Sequence, residues 1–146
     1  MTSLPAHVPA AVAASLAHWH EMIERRDLGQ LAAIVHPDAV FRSPMAHSPY
    51  GPASALILVL NTVIQVFEDF SYHRQLASDD GLAVVLEFSA RVGDKQLKGI
   101  DFIQFDAQGL IREFEVMVRP MSGLQALGGE MGARLAKVMP GFKVKA

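Results

Sequence analysis

Apolar positions recur with two periods along this chain, close to 3.6 residues through the first seventy positions and close to two through most of the rest. In the first part Val12, Leu16, Trp19 and Ile23 follow one another at intervals of four, three and four, which aligns them on one face of a helix ending near Arg26. Asp27, with Gln30 three positions on, has the form of a capping box. It predicts a second, short helix carrying Leu28, Leu31, Ile34 and Val35 and ended by His36-Pro37. Ala39 to Ser43 reads as a short strand. A loop containing Pro44, Pro49, Gly51 and Pro52 follows, and Pro52 suits the first position of a third helix with Leu56, Leu60, Val63 and Phe67 as its buried stripe.

Alternation takes over in the second half. Phe70 to Ala77, Leu82 to Val92, Lys95 to Phe105 and Leu110 to Arg119 are separated by short turns rich in Gly and Asp, which predicts an antiparallel meander. Pro120 stops the last strand, and Leu124, Leu127, Met131 and Leu135 then mark an amphipathic helix loosened by Gly128, Gly129 and Gly132. Neither a repeat nor a linker interrupts this order, so residues 1–146 read as a single domain. The expected architecture is α+β: a cone-shaped, curved antiparallel sheet packed on three N-terminal helices, plus a C-terminal helix, with a pocket between the layers.

Strand parity sorts the side chains onto two faces. One collects Val84, Leu86, Phe88, Leu97, Asp101, Ile103, Phe105, Phe114, Val116 and Val118. Asp101 is the exception among them. A carboxylate removed from water without a partner costs several kcal/mol or keeps its proton, so one on an apolar inner face is either hydrogen-bonded or used. The same face makes Phe88, Ile103, Phe114, Val116 and Val118 candidate pocket lining around it. The opposite face mixes charges with an apolar centre of Ile100, Phe102 and Met117, the pattern of a partner surface, and a homodimer through that outer sheet face is expected.

Composition narrows the classes. Hydrophobic residues form 51% of the chain and charged residues 19%, too apolar for a disordered segment. With 13 basic and 15 acidic residues, and only Lys143-Val144-Lys145 as a basic group, nucleic-acid binding has no electrostatic basis. Zero cysteines remove disulfides and thiol chemistry. His18 and His20 are two apart and point to different sides of a helix, so no metal site is expected. The greasiest run, Ala55 to Leu60, falls short of the roughly 18 apolar residues that span a bilayer, and the small apolar residues of Met1 to Ala17 have no Lys or Arg before them to start a signal peptide. No membrane association is expected, and the location is read as cytoplasmic. With neither a phosphate loop nor a nucleophile elbow, no cofactor is expected. His20 shares a face with Leu16 and Ile23 and is placed near Asp101, while Tyr50 and His47 lie in the Pro-rich loop that would rim the pocket.

Trp19-His20-Glu21 through Arg26-Asp27-Leu28, Asp38-Ala39-Val40-Phe41-Arg42-Ser43-Pro44, Gly51-Pro52 and Gly99-Ile100-Asp101-Phe102 occur in an order that resembles the nuclear transport factor 2-like superfamily, in its SnoaL-like and ketosteroid-isomerase-like branch. The resemblance runs from about Val12 to Arg119. It implies the cone fold, with Trp19, Ser43 and Asp101 facing the cavity. In ketosteroid isomerases a protonated acid, a Tyr and a general-base Asp stand where this chain has Asp101, Trp19 and Ser43. A serine hydroxyl without a base does not remove a carbon-bound proton, and an indole N–H offers no phenolic acid, which argues against steroid-type isomerisation. Limonene-type epoxide hydrolases also match at Asp101, but want an Arg at Gly99 and a second Asp at Val116. SnoaL-type polyketide cyclases use an acid/base Asp that matches Asp101, with a His nearby. Two functions follow as expectations: a cofactor-independent cyclase, isomerase or lyase acting on a small apolar molecule with Asp101 as general acid/base, or a non-catalytic small-ligand-binding domain.

Overall fold

The helical half of the pattern produces two α-helices and a single 3-10 turn in the computed structural model, which describes residues 3–138. Helix α1 (Ala10–Arg25) buries Val12, Leu16, Trp19 and Met22, with Ile23 partly buried beside them. It ends where Arg26 turns into the left-handed region at φ 52°, letting its N–H reach Ile23 O and that of Asp27 reach Met22 O. The Arg26 guanidinium then donates to Ile64 O at 2.6 Å and Phe67 O at 3.1 Å, tying the end of α1 to the end of the next helix.

The second predicted helix does not form as such. Asp27 Oδ1 accepts the N–H of Gly29 at 2.9 Å, a local turn that competes with the cap, and only Leu31–Ile34 winds, as one 3-10 turn. Val35 is taken by the sheet instead, so strand β1 (Val35–Arg42) starts four residues earlier than Ala39 and contains His36 and Pro37. His36 is therefore not at a helix end; its Nδ1 accepts the N–H of Asp38. Pro37 is tolerated because β1 is an edge strand and its register shifts between Val35 and Val40, where the missing N–H goes unused.

Helix α2 (Ala53–Val66) begins one residue after Pro52 and buries Leu56, Val59, Leu60 and Ile64. Strands β2 (Glu68–Ala77), β3 (Ala83–Val92), β4 (Lys95–Phe105) and β5 (Ile111–Arg119) form the predicted antiparallel meander. The sheet order is β1-β5-β4-β3-β2, and β1 joins β5 in parallel, so one edge departs from the antiparallel expectation. Parity holds on β3, β4 and β5, where the predicted inner residues are buried apart from half-buried Val118. It fails on β2. Tyr72 pairs with Phe88 but Gln75 pairs with Leu86, three residues against two, so this bulge turns Gln75 inward and leaves Leu76 58% exposed.

Helix α3 (Met121–Val138) closes the open side of the cone and runs through all four of its glycines, Gly123, Gly128, Gly129 and Gly132. The Lys143-Val144-Lys145 group lies outside the described residues. No helix among the described residues is long and apolar enough to cross a membrane.

Candidate active site

Asp101 sits at the centre of β4 with Leu86 of β3 and Val116 of β5 as its register partners, and only 6% of it is exposed. Its Oδ2 accepts the Tyr72 hydroxyl at 2.5 Å, and the Tyr72 oxygen accepts Trp19 Nε1–H at 3.0 Å. The direction of this chain is forced. An indole nitrogen only donates, so the phenol oxygen receives from Trp19 and its own proton goes to the carboxylate. Among the described residues Tyr72 is the one hydrogen-bond partner of the Asp101 side chain, which leaves Oδ1 for whatever enters the cavity. Burial pushes the Asp101 carboxyl up to about 7, with the Tyr72 hydrogen bond opposing the rise. Burial, then the charge of Asp101, holds the Tyr72 phenol well above its ordinary range, so it stays a neutral donor.

The carboxyl opens onto a narrow cavity between sheet and helices. Its interior is about 70 Å³, against the roughly 10–15 Å³ that admits one water on the same measure. Trp19, Ser43, Tyr50, Tyr72 and Asp101 supply the polar groups on an otherwise apolar wall. Ser43 Oγ accepts the N–H of Met45 at 3.0 Å, so it anchors the loop after β1 while keeping its proton to donate. Trp19 packs tilted on Phe114 at 5.3 Å, which fixes the indole ring that starts the hydrogen-bond chain.

Of the residues expected at the site, Asp101, Trp19, Ser43, Tyr50, Phe114 and Val116 line the cavity. Four do not. His20 follows Trp19 on α1 and is turned away, its Nε2 at 3.0 Å from Gln75 Oε1 and its ring edge-on to Tyr72, in an outer groove with Glu24, Arg26 and Asp69. Burial lowers its pKa and favours the neutral ring. Phe88 is fully buried behind the wall, stacked on Phe70 at 5.1 Å. Ile103 is also sealed in the core, and Val118 lies level with Gly99, outside the lining. His47 is exposed in the loop.

Tyr72 is the candidate-site side chain that sequence reasoning missed. It shares parity with Phe70 on a strand beside β3, and a buried phenol needs a partner, but nothing local says that the partner is Asp101. The lining from α3 (Leu127, Met131 and Leu135) and from Met45 also needed the tertiary packing.

The positions at which an epoxide hydrolase would carry its Arg and second Asp are closed to that chemistry. A Cβ on Gly99 would come within 2.4 Å of Met117 O and 2.6 Å of Phe88 Cζ, so no side chain fits there, and Val116 occupies the other place. Among the described residues no cluster of three or more His, Cys, Asp or Glu is arranged to hold a metal ion.

A SnoaL-like domain model matches residues 16–114, and the chain belongs to that family within the nuclear transport factor 2-like fold. Among solved structures, a steroid delta-isomerase from Pseudomonas aeruginosa is 65% identical, covers 94% of this chain and 99% of its own, and superposes with a TM-score of 0.90. An uncharacterised protein with a cystatin-like fold from Silicibacter pomeroyi is 31% identical over 83% of this chain and 84% of its own, with a TM-score of 0.77. An NTF2-like protein of unknown function from Mesorhizobium loti shares the fold at 12% identity, covering 82% of this chain and 100% of its own, with a TM-score of 0.68. No curated protein matches the chain.

Proposed function

We propose that the chain is a cofactor-independent isomerase that moves a proton on a small apolar carbonyl compound, with Asp101 as the single general acid/base. The observation that carries this is a buried carboxyl, raised to about 7, facing a nearly apolar cavity with one oxygen held by Tyr72 and the other free. A group with a pKa near the working pH is present in both forms, which is what removal and return of one proton requires. In the ionised form Oδ1 takes the proton α to the carbonyl, and the C–H electron pair delocalises into a dienolate. The carboxylic acid so formed returns that proton to the γ carbon, and the double bond ends conjugated with the carbonyl. Ser43 carries a further hydroxyl on the wall, whose proton is left to donate to the oxygen as it gains charge.

The 65% identity to a protein described as a steroid delta-isomerase supports this choice over cyclase or lyase. The base is Asp101 itself, since Ser43 offers none. The narrow cavity favours compounds smaller than a steroid. The test is conversion of small β,γ-unsaturated ketones to their conjugated isomers, followed by the ultraviolet band of the product. We expect turnover that rises with pH through about 7 and disappears in Asp101→Asn. An Asn variant that folds, binds the same ketones and turns them over like the parent would refute the acid/base role. Ketone binding without turnover by the parent chain would favour the non-catalytic ligand-binding domain.

We further propose that two copies pair through the outer sheet face. Phe102 and Met117 are 38% and 43% exposed there beside half-buried Ile100. Around them Arg74 holds Glu87 in a two-point ion pair with Lys98 at 3.4 Å, and Arg42 pairs with Glu113. A rim of both signs around an apolar centre is compatible with a self-complementary two-fold contact.

A further inference from the structure

The loop after β1 and helix α3 meet at a contact between one flexible side chain and one missing side chain. A Cβ added to Gly128 would come within 2.4 Å of Met45 Cε and 2.8 Å of its Sδ, and both residues line the cavity. The neighbouring helical glycines behave differently. At Gly129 and Gly132 an added Cβ meets nothing within 4 Å. Glycine inside a helix is unfavourable relative to alanine, and at position 128 the packing supplies a reason for it. The Met45 backbone is pinned by its N–H bond to Ser43 Oγ, so its side-chain torsions are what can move.

We propose that Met45, seated on Gly128, is the specificity-determining residue of the cavity: its thioether sets the largest ring system that can enter. This rests on the reading of the cavity as the ligand site and on no step of the chemistry. In an interior of about 70 Å³ the placement of one thioether side chain decides how much flat apolar molecule fits. Gly128 lets that side chain lie against the helix, outside the space a ligand uses. A methyl group at position 128 displaces the far end of Met45 from the helix, within the cavity both residues line, and because that end is flexible the helix itself need not shift.

Phenol, 2-naphthol and 9-phenanthrol form a one-, two- and three-ring series, and Trp19, the sole tryptophan of the chain, lines the cavity and reports binding by fluorescence. In Gly128→Ala the two- and three-ring compounds should bind about tenfold more weakly, with phenol within about twofold, the scale of a methylene-sized change in an apolar pocket. Met45→Ala should strengthen the larger two by about tenfold on the same scale. The double variant should behave like Met45→Ala, because the new methyl then has nothing to displace. Thermal unfolding of Gly128→Ala should occur no lower than in the parent, since alanine favours the helix. Equal shifts for all three compounds in either single variant, or a double variant that sums the two single effects, overturns the proposal. Failure of all three to perturb Trp19 in every variant overturns the cavity as a ligand site as well, whereas loss of turnover in Asp101→Asn leaves it standing.

Discussion

Replacing Asp101 with asparagine leaves an oxygen to accept from Tyr72 and removes the titrating charge, which makes pH-dependent stability a direct reading of the buried carboxyl. The folded-state value of about 7 lies above the ordinary carboxyl value of 3.8. Below 3.8 both folded and unfolded chains hold the proton. As pH rises past that point the unfolded chain releases its proton while the folded chain keeps it, so stability falls, and it stops falling once the folded carboxyl ionises above about 7. The full difference amounts to about 4 kcal/mol, a large part of the roughly 5–15 kcal/mol that holds a domain folded. Linkage places roughly 2–3 kcal/mol of it between pH 5 and pH 8. Urea unfolding of parent and Asp101→Asn at both pH values isolates this contribution, because titration of other groups cancels in the difference. The parent should lose about that much stability relative to the variant as pH rises from 5 to 8. Parallel pH profiles for the two proteins would mean that the carboxyl is solvated or paired in the folded chain, and the reasoning from burial would fail.

Three further outcomes follow from the same packing. Tyr72→Phe removes the bond that holds the Asp101 carboxyl down, so the rising limb of any pH–rate profile should move to higher pH; it also strands the Trp19 N–H, costing about 1–3 kcal/mol in urea unfolding. An unmoved profile would rule out coupling between the two groups. Gly99→Ala should destabilise by about 1–3 kcal/mol through overpacking against Met117 O and Phe88, and a neutral effect would mean that β4 and β5 yield more easily than their spacing suggests. Met117→Asp should give a monomer by size exclusion with light scattering; a parent that is already monomeric at micromolar concentration refutes the outer-face dimer.

Local pattern carried far into this fold. Alternation along Leu97 to Phe105 was enough to turn Asp101 inward, because side-chain direction on a regular strand depends only on position along that strand. The helical stripes of α1 and α2 and the meander of β2 to β5 were legible for the same reason. Trp19 was readable as inward-facing, and so was His20 as its neighbour, but periodicity alone did not place His20 outside the cavity. In the fold its ring meets Gln75, which the bulge in β2 turns inward.

What the chain order alone determined is therefore the type and facing of most elements, the acid on the inner sheet face, and an apolar interior around it. Tertiary structure decided the rest: β1 joining in parallel, Phe88 and Ile103 sealed behind the wall, Met45 resting on Gly128, and Tyr72 reaching Asp101. That last bond spans 29 positions and the Trp19 bond behind it spans 53. Contacts at such separations are set by strand register, bulges and the packing of helices against the sheet, which the whole fold settles together and no local period encodes.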